Sequence, residues 1–186
     1  YHPISPTEDI LLNTANGVKV ENDTTIKLKA KMSTTSEYVS PLIDLDRVSL
    51  NSVFNDVNSE DDVSDTELKA EHGDAAVRYI TRDVELNNPA DQLDVYLNIS
   101  RPTDKSNVLV YARFKSGDDS ITNSPFELLK PASAIPISSG ADDFNEVLFA
   151  LSRNQNFSSF QVKIVIVTDE HWNVPTITDF RAIATT

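Results

Sequence analysis

The segment Phe160-Gln-Val-Lys-Ile-Val-Ile-Val167 decides the fold class. Successive side chains of an extended strand point to opposite faces, so Phe160, Val162, Ile164 and Ile166 share one face and Gln161, Lys163, Val165 and Val167 the other. The first face is wholly apolar and must be core, worth about 6–12 kcal/mol before ordering entropy is counted. The second begins polar and ends apolar, the pattern of an interior strand that leaves solvent and runs beneath another element. After a short polar connection, Val174-Pro-Thr-Ile-Thr-Asp-Phe-Arg-Ala-Ile-Ala184 reads as the second strand of a C-terminal hairpin.

Further strands are expected on both sides of this pair. Residues 25–32 alternate Ile26, Leu28, Ala30 and Met32 against Lys27, Lys29 and Lys31, and the lysines suit an edge strand. Residues 38–45 make a second strand, with Pro41 implying an edge or a bulge, and residues 48–57 a third. Residues 76–86 change phase between Tyr79 and Val84, which predicts a bulge near Thr81. Residues 93–99 and 108–114 alternate cleanly, with a hairpin connection expected at 101–106, and shorter strands are expected at 126–129 and 146–151. Residues 1–24, with Pro3, Pro6 and Asn16-Gly17, read as an extended arm. From Asp56 to Asp74 eight carboxylates face the single Lys69, which predicts a solvated loop at about 56–75 with one helical turn near 66–70. The expected architecture is all-β: an antiparallel two-sheet β-sandwich, jelly-roll-like, over residues 25–186, with the arm in front of it.

Composition narrows the functional classes. At 186 residues the chain can bury a core without staples, and having no cysteine it has neither disulfides nor thiolate metal sites. A net charge of −13 disfavours nucleic acid and anionic membrane as partners. No apolar run exceeds a strand in length. The chain begins at Tyr1 without Met, as expected of a fragment or a processed product.

Three sets of segments resemble large virion structural proteins of contractile-tailed phages, in particular those of cyanobacterial myoviruses. They are Ser40-Pro-Leu-Ile-Asp-Leu45; Arg78-Tyr-Ile-Thr-Arg-Asp-Val-Glu-Leu86 with Leu93-Asp-Val-Tyr-Leu97 and Val108-Leu-Val-Tyr-Ala-Arg113; and Phe160-Gln-Val-Lys-Ile-Val165 with Val174-Pro and Asp179-Phe-Arg-Ala-Ile-Ala184. The resemblance spans residues 38–184 and leaves the acidic insertion and residues 116–140 unmatched. It implies a non-enzymatic structural module of a tail or baseplate, assembled in the host cytoplasm, with other virion proteins and further copies of itself as partners. A carbohydrate-binding module for adsorption to host glycans is the alternative.

No residue set marks a catalytic, cofactor or metal site. His2, His72 and His171 are scattered, the acidic run lacks the glycine-centred spacing of a calcium loop, and four glycines leave no phosphate cradle. Asp44, Asp46 and Arg47 read either as a cation or sugar site or as a tied corner. Asp179 and Arg181 read as an ion pair that sets register, with Asp179 at a bulge. The pairs Asp118-Asp119 and Asp142-Asp143 read as solvated loops. The candidate contacts to a partner or glycan are Trp172 and His171 in the last connection, and Tyr96 and Tyr111 on outward strand faces. Trp172 could equally cap the core, and the tyrosines could pack on each other across strands. On this phase Ile164→Asp should prevent folding, because it buries an unpaired charge, whereas Lys163→Glu should cost little; melting temperatures of the two variants compare them.

Overall fold

A computed structural model describes residues 29–47, 55–71, 73–117, 120–140 and 142–186. The chain divides into two compact units, Tyr1–Phe54 and Asn55–Thr186. In the first, residues 29–44 form no strand and a 3-10 turn follows at Leu45–Arg47. The strands expected at 38–45 and at the described end of 25–32 are therefore absent. A strand exists only where a neighbour takes its backbone hydrogen bonds, and among the described residues none pairs with either stretch. The arm at 1–24 and most of the strand expected at 48–57 lie outside the described residues.

The second unit is nearly all β, with a four-residue helix α1 (Glu60–Val63) and strands β1 (Arg78–Ile80), β2 (Val84–Ser100), β3 (Ser106–Lys115), β4 (Glu127–Pro131), β5 (Asn145–Thr168) and β6 (Thr176–Thr185). They form one antiparallel, curled sheet. β5 is its axis. Along one flank it pairs with β2, as in Val95↔Phe149 and Val84↔Phe160, and then with β1, as in Tyr79↔Ile164. Along the other it pairs with β3, as in Val110↔Ile164, and at Lys130↔Ala150 with β4, which also pairs with β3.

The segments 146–151 and 160–167 thus belong to one strand of 24 residues. Polar, exposed residues 154–156 separate its apolar ends, but nothing there breaks the chain. Register shifts in β2 between Glu85 and Gln92, around Asn87-Asn88-Pro89, let the sheet turn along its length. The slip near Thr81 is also present: β1 and β2 are interrupted at 81–83, where the Thr81 N–H donates to the Val162 carbonyl at 2.9 Å and its hydroxyl accepts from the Val162 N–H at 3.0 Å.

Two expected hairpins are replaced by longer-range pairings. β2 and β3 do not pair with each other across 101–105, since both pair with β5. Arg101 holds that connection, donating to the carbonyls of Ser106, Asp104 and Ile135. Nor does β6 pair with β5. It runs beside β2, with Leu97↔Phe180, Val95↔Ala182 and Leu93↔Ala184.

The curl encloses one main core. Phe160, Val162 and Ile164 lie in it with Leu93, Val95, Leu97 and Ile99 of β2 and Val108, Val110, Ala112 and Phe114 of β3, while Ile166 is half-buried. The ring of Phe157 packs 4.7 Å from Phe114 and 6.2 Å from Phe160, between centroids. The opposite face of β3 and β5 builds a second, smaller core: Leu109, Tyr111, Val165 and Val167 meet Val63, Ala75 and Phe126.

The acidic segment is the lid of that second core and not a solvated loop. Val57, Val63, Glu67 and Ala75 are buried while most of its other carboxylates point outward. Its helical turn lies at Glu60–Val63, earlier than expected, followed by hydrogen-bonded turns in which the Glu67 N–H reaches the Val63 carbonyl at 3.0 Å. Repulsion among the outer carboxylates is screened by water, and the inward apolar positions decide the placement. Lys163 lies under this lid, fully buried, so its substitution by Glu cannot be mild. Lys163→Glu is now expected to cost about 3–5 kcal/mol, comparable to Ile164→Asp, because it faces Glu67 with a second buried carboxylate. Urea midpoints of the two variants measure it.

Candidate functional site

Lys163 sits where a strand expected to emerge into solvent is covered instead. Its Nζ donates to the main-chain carbonyl of Glu67 at 2.7 Å and stands 2.7 Å from Glu67 Oε2. That oxygen makes a buried ion pair with the ammonium. The other carboxylate oxygen, Oε1, accepts the Ala75 N–H at 2.9 Å. Both side chains are fully buried. The ammonium lies 4.1 Å from the centre of the Phe126 ring and 5.2 Å from that of Tyr111, whose negative faces favour a cation. Gly73 closes the pocket with φ +80, and a Cβ there would fall 2.1 Å from Glu67 Oε1. Glycine is required on both counts, backbone conformation and space.

Arg113 is the second buried cation on this face. It donates to Gln161 Oε1 at 2.7 Å, to the Ala70 carbonyl at 3.0 Å and to the Thr122 carbonyl at 3.2 Å, with its guanidinium 4.8 Å from the Phe126 ring centre. Burial lowers its pKa, opposed by the charge of Asp83. The lid is also tied by Ala76 N–H to Asn58 Oδ1 at 2.7 Å, Thr168 N–H to the Asn58 carbonyl at 2.9 Å and Asn107 Nδ2 to Glu60 Oε2 at 2.9 Å. Glu67, Lys163, Arg113 and Gly73 were all missed as site residues in the sequence. The available signals were two polar residues, Gln161 and Lys163, on a strand that ends apolar on both faces, and one of only four glycines closing an acidic run.

The predicted contact residues are dispersed. Tyr111 is buried in the second core, not outward, because β3 is covered on both faces. Tyr96 is half-buried on β2, with the Arg181 guanidinium 5.1 Å from its ring centre, and it does not pack on Tyr111. Arg181 also binds Glu146, and its Nε is 3.4 Å from Asp179 Oδ2, beside a register shift in β6. The expected ion pair and bulge are both there. His171 and Trp172 are half-buried in a well-tied connection. Thr168 Oγ1 donates to the Glu170 and Asn173 carbonyls, Asn173 Nδ2 donates to Glu170 Oε2 at 2.8 Å, Lys105 Nζ is 3.2 Å from Glu170 Oε1, and Asn55 Nδ2 donates to the His171 carbonyl at 2.8 Å. The bonds from Asn173 and Lys105 hold the Glu170 carboxyl below its usual range.

The remaining carboxylates serve local geometry. Asp44 Oδ1 accepts the Asp46 N–H at 3.1 Å, a tied corner. Asp143 accepts from the Ser139 N–H and hydroxyl, which lowers its pKa. Among the described residues no three His, Asp or Glu side chains converge as metal ligands would. Asp118, Asp119 and His72 lie outside the described residues. A shallow notch of about 390 Å³ between β1 and β2 is lined by Arg82, Asp83, Val84 and Glu85, contiguous residues at the strand interruption.

Comparison with protein families, with characterised proteins and with solved structures finds no match for this chain.

The second core carries its own pH dependence. Burial first, then the charges of Glu67 and Glu60, raise Tyr111 from 10.0 to about 12. Its folded pKa lies above its unfolded one, so the stability it contributes is intact below pH 10 and lost as the pH approaches about 12. Lys163 has the opposite sign. Burial pushes its folded pKa below 10.5 against the pull of Glu67, so its charging cost recedes as the pH rises toward 10.5. Stability measured by denaturant titration should therefore fall between pH 10 and about 12, and Tyr111→Phe should flatten that fall.

Proposed function

We propose that this chain is a non-enzymatic structural and interaction module of a phage tail or baseplate, which joins other virion subunits by presenting a sheet edge and loops. The observation that carries the reading is the outer edge of β6. Its ten residues pair with β2 alone, leaving the backbone groups of the other side without a strand partner among the described residues. Natural edges are commonly blunted by charged side chains, proline or a bulge; β6 carries Asp179, Arg181 and its register shift toward the start, whereas Ala182–Thr185 carries none of these and exposes Ile183 at 46 %. Such an edge is a strand acceptor, where main-chain hydrogen bonds supply affinity and side-chain pockets supply selectivity. Beside it Phe180, half-buried, meets the exposed ring of Tyr79 edge-on at 6.4 Å between centroids, extending the apolar surface.

The curl agrees with a jelly-roll reading. β6, β2 and the first half of β5 would form one layer, and β1, β3 and the second half of β5 the other. The sequence resemblance supplies the virion context and the host-cell assembly route, with other tail proteins and further copies of the chain as partners.

Mixing the chain with tail and baseplate subunits of a cyanobacterial myovirus, followed by size-exclusion chromatography with light scattering, is expected to show co-assembly that Ile183→Lys weakens at unchanged melting temperature. A chain that stays monomeric in every mixture removes the proposal. Saturable binding on a glycan array, lost in Trp172→Ala, would establish the carbohydrate-binding alternative instead.

A further inference from the structure

We propose that Lys163 and Glu67 form an isopeptide crosslink, which stitches the acidic lid covalently to β5. The reactants are in contact. Nζ lies 2.7 Å from Oε2, one covalent bond away from the carboxyl carbon it would attack, and neither group is accessible to water. Two groups fixed at contact behave as though present at an effective molarity of about 10⁵ M or more, which overcomes the competition from water that disfavours amide formation in dilute solution. Tyr111, Phe126, Val63 and Val165 wall the pair in, so that no bulk water competes for the nitrogen or the carboxyl carbon.

The step balances without a co-reactant. One proton passes from the Lys163 ammonium to Glu67 Oε2, leaving a free amine and a carboxylic acid. The nitrogen lone pair attacks Cδ, forming the C–N bond and pushing the carbonyl electrons onto Oε1. The Ala75 N–H, already 2.9 Å from Oε1, donates to this oxyanion. A second proton passes from nitrogen to Oε2, the C–Oε2 bond breaks, and water leaves as the carbonyl re-forms. Both hydrogens of the water come from the ammonium, and the amide nitrogen keeps the third. The absent Cβ of Gly73 leaves the carboxyl room to rehybridise, since a methyl group there would occupy the site of Oε1. The hydrogen bond from Nζ to the Glu67 carbonyl holds the nitrogen against the carboxyl.

Intact-mass measurement of the purified, denatured chain tests this. The expected mass is one water below that of the sequence, and peptide mapping should recover a branched species joining the peptides that carry Lys163 and Glu67. Lys163→Met should restore the full sequence mass. This readout needs no folded variant, because the unsubstituted chain alone decides the matter. The full sequence mass in the unsubstituted chain, or a missing water mapped to any other residue, overturns the proposal.

Discussion

A lysine without access to water is the constraint on which the back of this structure depends. Carrying an ammonium into a protein interior costs several kcal/mol, and the cost is met only where counter-charge, carbonyl and aromatic faces converge. Lys163 has all three: the Glu67 carboxylate, the Glu67 carbonyl, and the rings of Phe126 and Tyr111. Three of these four groups come from outside β5 and β3, so the strands cannot hold the charge by themselves. The lid must close for the sheet to be stable, and the sheet must be paired for the lid to have a counter-ion. Such mutual dependence joins an irregular segment to a regular one in a single cooperative unit.

Much of the second unit was legible in the sequence, because alternation reports directly on burial. The strands at 93–99, 108–114 and 160–167 and the phase slip near Thr81 follow from side-chain period alone, and the irregularity at Asp179 was expected beside its ion pair with Arg181. Pairing partners were not legible. Adjacent strands suggest hairpins, yet β2 and β3 each prefer β5, and β6 prefers β2; register is set by facing apolar rows distant in sequence, which local pattern does not contain. The lid was misjudged for a related reason. Eight carboxylates dominate its composition, but a segment needs only a few inward positions to dock, and Val57, Val63 and Ala75 are enough when a cation waits underneath. The candidate site was hidden in the same way, since Lys163 and Tyr111 looked outward on strands whose outer face turned out to be covered.

The two faces of the sheet divide the labour. The covered face of β3 and β5 concentrates buried polar groups at fixed geometry, with Lys163, Glu67 and Arg113 paired across lid and sheet. The edge at β6 differs, its outer main-chain groups having no strand partner among the described residues. The two features are separate, because the β6 edge shares no side chain with the charged pocket.

The central position of β5 also has a temporal consequence. β1 takes its partner, and β3 its longer one, from residues 145–168, which are made after β1, β2, β3 and β4, so that only the short β3–β4 pairing can form earlier. Until then the apolar rows of β2 and β3 are complete but unsheltered, and Glu67 of the lid lacks its counter-ion. Folding of the unit therefore waits until residues 145–168 have been made and then involves nearly the whole unit at once, the slow, non-local route expected of long-range strand pairing.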